Sequence, residues 1–389
     1  MLGNGGNGAR TPCQYITIYQ TMHNIENTLH ALADNGNLRA IPADSTASSV
    51  IDLSSNDYLG LAEDRSLRAE FLAGLNADNF QPTSSASRLL SSRQTSYTRL
   101  EYRLAEVYGR PALLFNSGYH ANTGLVSALG GRRTLFVADK LVHASIIDGL
   151  QLSGSRFERF RHNDYAHLEH LIKKYGPEYE RIVIISESVF SMDGDYADIS
   201  ALAAAKKRHP DTLLYIDEAH GIGVCGPQGL GCVEASGLSG EVDIMVGTFG
   251  KALASSGAFA ILSESLRQFM INRARSLIFS TSLPPLCAEW SLTTFNKALS
   301  MDSERLHLQN LASRLQQITG SKVCSHIQPL IVGDAQRAVA LSAKLLDQGY
   351  KVLPIRTPTV PPGTERLRFS LSAALPLSTL DNLKISQVF

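Results

Sequence analysis

The sequence predicts an α/β protein: a mainly parallel sheet with helices on both faces, plus a smaller α+β domain. Short apolar, β-branched runs recur at Thr134 to Ala138, Arg156 to Phe160, Arg181 to Glu187, Thr212 to Asp217, Val242 to Val246 and Ala258 to Leu262, with helical segments between most of them. That rhythm builds parallel sheets, because parallel neighbours need a crossover and the crossover helices cover the faces. Polar residues cluster where the runs end, and in such sheets ligands bind outside the carboxyl ends of the strands. At 389 residues the chain is long for one domain, which calls for a large core and a second, smaller one.

Composition narrows the class. Hydrophobic residues make up 44% and charged residues 19%, as in soluble globular proteins. Lys+Arg (36) balance Asp+Glu (36), so nothing points to nucleic acid or an anionic membrane, and no apolar run is long enough to span a bilayer. The five cysteines include no C-x-x-C pair, and Cys225 and Cys232 lack zinc-knuckle spacing. Reduced thiols, a cytoplasmic location and no metal site are therefore expected. Residues 1–14 are Gly- and Asn-rich without an apolar core segment, which predicts a disordered tail rather than a signal peptide.

In chain order, Tyr15 to Leu38 has helical periodicity, with Ile18, Met22, Ile25, Leu29 and Leu32 on one face and Asn35-Gly36-Asn37 as the stop. This N-terminal segment, residues 15–50, is expected to pack with the small domain. Ile51 to Leu53 reads as a strand opening a large domain over residues 51–285, and the polar turn Ser54 to Leu61 follows it. Thr83 to Ser92 is a Ser-rich loop, Tyr97 to Tyr108 a helix and Ala112 to Phe115 a strand. Asn116-Ser117-Gly118-Tyr119 then opens a helix whose free N–H groups could hold an anion. Residues 286–389 form the small domain, with helices within Glu289 to Leu315 and over Gln336 to Gln348, a strand over Ile327 to Val332 and strands near Val352 and Leu367. Gly349 suits the end of the second of these helices.

Lys251 follows the Val242 run and precedes the small residues Ala252, Ala254, Ser255, Ser256 and Gly257. Burial there disfavours an ammonium and suits a lysine that bonds covalently to an aldehyde. The plainer alternative is a helix-start lysine with its head in solvent. Likewise Asp217 or Ser117 could be a simple N-cap. Four clusters at strand ends are harder to dismiss together: His143; Ser188, Ser191, Asp193 and Asp195; Asp217 to His220; and Lys251. An acid, two histidines and a lysine facing an anion cup suit pyridoxal 5′-phosphate. Lys251 would hold its aldehyde and Asp217 its ring nitrogen, keeping that nitrogen protonated. His143 would stack on the ring, Ser191 and His220 would bind the phenolic oxygen, and Gly118, Tyr119 and Thr248 would bind the phosphate.

Asp-Glu-Ala-His-Gly (217–221), Thr-Phe-Gly-Lys (248–251), Val-Phe-Ser-Met-Asp-Gly-Asp (189–195) and Ser-Asn-Asp-Tyr-Leu-Gly-Leu (55–61) resemble the motifs of the α-oxoamine synthases, from about Tyr15 to the C-terminus. The resemblance implies a fold-type-I, aspartate-aminotransferase-like pyridoxal-phosphate enzyme. Such an enzyme joins an amino acid to an acyl thioester with loss of CO₂, and the resemblance makes Lys251, His143 and Asp217 catalytic. It further implies Asn56 and Arg368 at the amino-acid carboxylate, and Arg39, Arg356 and Thr359 on the acyl-donor side. Thr281, within Phe279 to Pro285, would reach the partner subunit's phosphate in a homodimer. Phe-Arg-His-Asn-Asp (160–164), residues 327–334 and residues 355–368 carry a narrower likeness. It is to the branch that uses L-alanine and a pimeloyl thioester, on coenzyme A (pimeloyl-CoA) or on acyl carrier protein (pimeloyl-acyl carrier protein). The alternatives are a sister activity, such as 2-amino-3-ketobutyrate ligase or serine palmitoyltransferase, and a non-catalytic partner subunit. The chain departs from the family at its Ser-rich loop, at Tyr97 in place of a common His, after Lys251 where Ala or Ser replaces Gly, and at Leu375. Ser87 is expected to leave room for the methyl of alanine.

Overall fold

The computed structural model describes residues 24–41, 50–92 and 94–385. The chain divides into two compact units. The larger comprises Leu53–Pro329 and Phe369–Lys384, and the smaller comprises Met1–Asp52, Leu330–Arg368 and Ile385–Phe389. The expected tail and the first part of the Tyr15 helix lie outside the described residues.

The larger unit is built on a seven-stranded sheet. Its strands are β1 (Ala112–Phe115), β2 (Thr134–Asp139), β3 (Arg156–Phe160), β4 (Arg181–Glu187), β5 (Thr212–Asp217), β6 (Ile244–Thr248) and β7 (Ala258–Leu262), in the spatial order β1-β7-β6-β5-β4-β2-β3. β2 to β6 pair in parallel, while β7 runs antiparallel to both β1 and β6. The reversal has a simple cause: residues 249–257 are all that join β6 to β7, too few for a parallel crossover. The interior strands are almost wholly buried, as a sheet covered on both faces requires, whereas the edge strand β3 exposes much of Arg156 to Arg159.

Phe136, Val183, Ile185, Tyr215 and Val246 from the sheet pack with Leu125, Leu129 and Ile146 from the helices Gly118–Leu129 and Ala144–Leu152 in one buried cluster. These two helices meet at Gly149, where a Cβ would come within 2.9 Å of Val126 Cβ and 3.1 Å of the Asn122 carbonyl. Only glycine lets them approach so closely.

Two boundaries differ from the sequence reading. The strand expected over Val242 to Val246 begins at Ile244 and ends at Thr248. The Arg110 guanidinium donates to the carbonyls of Val242 and Asp243 and holds them out of the ladder. The larger unit also runs past the expected limit at residue 285 and takes in the helices Pro285–Leu299 and Asp302–Thr319. The first of these is fastened to the loop after Lys251: Trp290 Nε1 donates to the Ala254 carbonyl at 3.0 Å, and Ser291 Oγ lies 2.8 Å from Ser255 Oγ.

The smaller unit contains a helix over residues 24–34, stopped at Gly36 (φ 66°), and the helix Ala335–Asp347. Asp334 caps the latter by accepting from Arg337 N, and Gly349 (φ 85°) follows its end. Gln336 Nε2 donates to the Asp34 carbonyl at 3.0 Å, tying the two helices. Ile51–Asp52 pairs in parallel with Tyr350–Lys351, and Leu353–Ile355 pairs antiparallel with Arg366 to Arg368.

Candidate active site

The carboxyl ends of β2, β4, β5 and β6 lie on one edge of the parallel sheet, and each delivers a group singled out above. Asp217 ends β5 and is buried. Its Oδ2 accepts from Asn122 Nδ2 at 2.7 Å and its Oδ1 from Ala219 N at 2.9 Å. Asn122 is itself fixed, because its Oδ1 accepts from the Tyr215 hydroxyl at 2.6 Å and its Nδ2 also reaches Ser145 Oγ at 2.9 Å. Glu187 ends β4 directly beside Asp217 in the sheet register. Burial, reinforced by the Asp217 charge, pushes the Glu187 carboxyl well above the usual range, although the N–H groups of His143 and Ser191 donate to it. Of the two adjacent carboxyls, Glu187 is the one pushed towards its protonated form.

His143 follows the β2 turn and caps the helix Ala144–Leu152. Its Nδ1 accepts from Ser145 N at 3.2 Å and lies 2.7 Å from the Ser145 hydroxyl, which leaves the ring hydrogen on Nε2. Burial lowers its pKa, Asp217 raises it and Lys251 lowers it, with a net fall. A neutral imidazole is the better face for stacking on an aromatic ring.

Lys251 Nζ lies 2.6 Å from His220 Nε2, and His220 Nδ1 lies 2.6 Å from the Tyr58 hydroxyl, which donates to Asn56 Oδ1 at 2.9 Å. Tyr58 spends its single proton on Asn56, so His220 Nδ1 is the donor to Tyr58. Nε2 then offers its lone pair to Lys251. Ala254, three residues on, adopts the left-handed conformation (φ 45°), which glycine takes more readily than alanine.

Ser117 caps the helix Gly118–Leu129 by accepting from His120 N, so the N–H groups of Gly118 and Tyr119 lack intrahelical acceptors. A Cβ built on Gly118 would lie 3.9 Å from Thr248 Oγ1, which places the threonine hydroxyl at this helix end. Ser191 stands on the loop closed by the Val189–Tyr196 bridge. Thr281 is exposed and its carbonyl accepts from Asn116 Nδ2, beside the same helix end. Ser87 bridges to Thr281, Ser282 N donates to the Ala86 carbonyl at 3.0 Å, and the Tyr97 hydroxyl donates to the Leu283 carbonyl, so the Ser-rich loop lies along the Phe279 to Pro285 stretch.

The structure gathers Lys251, His220, Asn56, Asp217, His143, Gly118 and Thr248 into the larger unit. In the smaller unit Arg39 Nη2 donates to Thr359 Oγ1 at 2.7 Å and Arg356 donates to the Gly36 carbonyl, bringing those three expected residues together. Arg368 is buried in the strand Arg366–Ser370, opposite Leu353. The sequence reading passed over Asn122, Ser145, Tyr215, Glu187 and Tyr58. Two of them were within reach: Asn122 lies one helical turn from Gly118, and Tyr215 lies two residues before Asp217 on the same face of β5.

This arrangement fits pyridoxal 5′-phosphate. A helix N-terminus opened by glycine and flanked by a hydroxyl suits a phosphate, a buried carboxyl group suits a ring nitrogen, and a primary amine beside a histidine suits an aldehyde and its neighbouring phenol. Among the described residues, no group of His, Cys, Asp and Glu could hold a metal ion.

The chain belongs to the aminotransferase class I and II family, whose model matches residues 48–384. Within that family its place is among the α-oxoamine synthases. It is 47% identical over 344 residues to the 8-amino-7-oxononanoate synthase of Chlorobaculum parvum, covering 86% of this chain and 88% of that protein. Its structure is similar to that of a serine palmitoyltransferase from S. paucimobilis solved with a PLP–myriocin adduct (TM-score 0.85, 28% identity, 95% of this chain and 96% of that one). It is also similar to 8-amino-7-oxononanoate synthase from Francisella tularensis (TM-score 0.72, 28% identity, 87% and 96%). The fold-type-I architecture and the family resemblance read from the motifs are thereby borne out.

Proposed function

We propose that the chain condenses L-alanine with a pimeloyl thioester to give 8-amino-7-oxononanoate, CO₂ and free thiol, with pyridoxal 5′-phosphate as cofactor. The carrying observation is the 47% identity to a synthase of that name across 86% of the chain, and the pairing of Lys251 with His220 and of Asp217 with Asn122 supports the reading. The bound cofactor supplies an electron sink for the charge left on the alanine Cα. Asp217, fixed by Asn122 and Ala219, holds the ring nitrogen charged. Lys251 Nζ takes the Cα proton and later returns it, and His220 orients the amine. Asn56 and Arg368 serve the alanine carboxylate, for which a guanidinium offers two parallel donors. Arg39, Arg356 and Thr359 serve the acyl donor, and His143 orients the ring.

The functional unit is a homodimer in the cytoplasm. Leu89, Leu90 and Phe279 expose large apolar side chains beside the paired Ser87 and Thr281, a pattern that supports burial by a second copy. Among the described residues, no helix is long and apolar enough to cross a membrane. The decisive test incubates the cofactor-loaded protein with L-alanine and pimeloyl-CoA or pimeloyl-acyl carrier protein and identifies the product by mass. A preference for glycine with acetyl-CoA, or serine with palmitoyl-CoA, would move the chain to a sister activity. Sedimentation showing a fully active monomer would remove the dimer.

A further inference from the structure

His162 and Asn163 lie between two loops that carry cofactor residues, yet neither belongs to the site described above. His162 Nδ1 is 3.0 Å from Asp139 Oδ1, and its Nε2 is 2.7 Å from Asp195 Oδ2. Asn163 doubles both links: its N–H donates to Asp139 Oδ2 at 2.9 Å, and its Nδ2 donates to Asp195 Oδ2 at 3.2 Å. With a carboxylate at each nitrogen, the ring can donate to both only as an imidazolium.

Each carboxylate also shapes its own loop. Asp139 is fully buried at the end of β2, and its Oδ1 accepts from Leu141 N at 2.8 Å, which forms the turn that delivers His143. Asp195 lies in the loop closed by the Val189–Tyr196 bridge, and its carbonyl accepts from Phe190 N at 3.0 Å, which forms the turn that delivers Ser191. The Phe190 ring meets the His162 ring edge-on at 4.4 Å. Asn163 takes a left-handed conformation (φ 52°) to reach both carboxylates, and its Oδ1 accepts from the Tyr165 hydroxyl at 3.0 Å.

We propose that His162 is a positioning residue for the reaction: as an imidazolium it staples the His143 turn to the Ser191 loop, so that the two meet the cofactor at a fixed spacing. It acts through Asp139 and Asp195 and touches no reacting atom. Burial works against its charge, but the two carboxylates outweigh burial and push its pKa up to about 10. The groups that face it are Asp139 from β2, Asp195 and Phe190 from the Val189 loop, and Tyr165, through Asn163, from the helix Tyr165–Tyr175. The folded pKa is raised, so the staple is complete below the ordinary value of 6.5 and is lost as pH rises through about 10.

The proposal rests on the cofactor reading, so its test begins without cofactor. Imidazole NMR of the cofactor-free protein should show His162 still charged at about pH 8, where an ordinary histidine is neutral. Titration of His162 near its ordinary pKa would overturn the proposal whatever the enzyme makes. Next, the dissociation constant for pyridoxal phosphate and the visible circular dichroism of the bound cofactor are measured for Asp195→Asn and His162→Gln. Asp195→Asn keeps an acceptor for Nε2 but removes one charge. Its cofactor affinity should fall about tenfold more than wild type between about pH 6 and about pH 8.5, the order of one charge-assisted hydrogen bond. His162→Gln should bind about tenfold more weakly at all these pH values and show reduced dichroism. A pH profile parallel to wild type in Asp195→Asn would overturn the proposal. So would unchanged affinity and dichroism in His162→Gln. If His162→Gln does not fold, the NMR titration and the isosteric Asp195→Asn variant decide.

Discussion

Replacing Asp217 by Asn separates the structural from the chemical role of this residue. Both of its oxygens accept from fixed donors, Asn122 Nδ2 at 2.7 Å and Ala219 N at 2.9 Å. Asn122 cannot turn to help, since its oxygen already accepts from the Tyr215 hydroxyl. The new NH₂ must therefore face a donor, at about 1–3 kcal/mol for a buried unsatisfied group. This loss appears in the urea denaturation of the cofactor-free protein. The second loss is the charge. An adjacent carboxylate raises the pKa of a protonated ring nitrogen by about 1–3 units, equal to about 1.4–4 kcal/mol, or roughly ten- to thousandfold in turnover. Glu187 could take over only if it ionised. Burial, the larger cause of its raised pKa, persists in the variant, so Asp217→Asn with Glu187→Gln should be no slower than Asp217→Asn alone. The assay is steady-state turnover at saturating cofactor, with cofactor affinity measured separately. Turnover within about twofold of wild type in Asp217→Asn would refute the charge argument. A further tenfold loss in the double variant would show that Glu187 shares the role.

Borohydride reduction should fix pyridoxyl mass on Lys251, and Lys251→Ala should still bind cofactor through the Gly118 helix end while losing turnover; a labelled peptide from another lysine sinks this. Glu218 is buried, and burial followed by nearby charge raises its pKa to about 7, against hydrogen bonds from Ser188 and the N–H groups of Val233 and Cys232. Its folded pKa lies above the ordinary 4.5, so stability present below pH 4.5 is lost as pH rises through about 7, by about 3 kcal/mol. Glu218→Gln can still accept from Val233 N and can donate its NH₂ to the Ser188 hydroxyl, and it should abolish that fall in urea midpoints. Ala254→Gly relieves the left-handed backbone and should stabilise by about 1 kcal/mol in the same assay, with turnover unchanged. Ser87→Thr should lose alanine turnover more than glycine turnover, since one methyl is worth about 1–3 kcal/mol in a pocket; an unchanged ratio of kcat/KM removes the steric argument.

The parts of the site visible in the sequence were those with a local signature. Asp217, His220 and Lys251 stand directly after apolar runs, and Ser117-Gly118 marks a helix start, so strand-end reasoning finds them. The supporting groups carry at most a spacing, as Asn122 does from Gly118 and Tyr215 from Asp217. Asn122 looks like any polar residue within a helix until the fold sets it against Asp217, which lies far along the chain. Tyr58 contacts His220 across a still longer gap of 162 residues. The direction of β7 was legible in principle from its short connection, although the even rhythm of the runs hides it. The limit of the larger unit was not, because the apolar face of the Pro285–Leu299 helix does not say which core it covers. That is settled by Trp290 and Ser291 reaching back to the loop after Lys251.

The antiparallel strand β7 sets an order on the making of the protein. β1 is an edge strand whose one sheet neighbour among the described residues is β7, and the helix that opens at Gly118 springs from its end. A ribosome delivers the partner of β1 about 145 residues after β1 itself, and a loop of that length must close before the two can pair. β4 and β5 can join as they emerge, but β1, which leads into the Gly118 helix end, stays unpaired until Ala258–Leu262 is translated. Cofactor capture is then a late event in biosynthesis. Chains broken off before Ala258 would carry Lys251 and Asp217 and still fail to retain the cofactor, so cofactor retention itself distinguishes a finished sheet from an unfinished one.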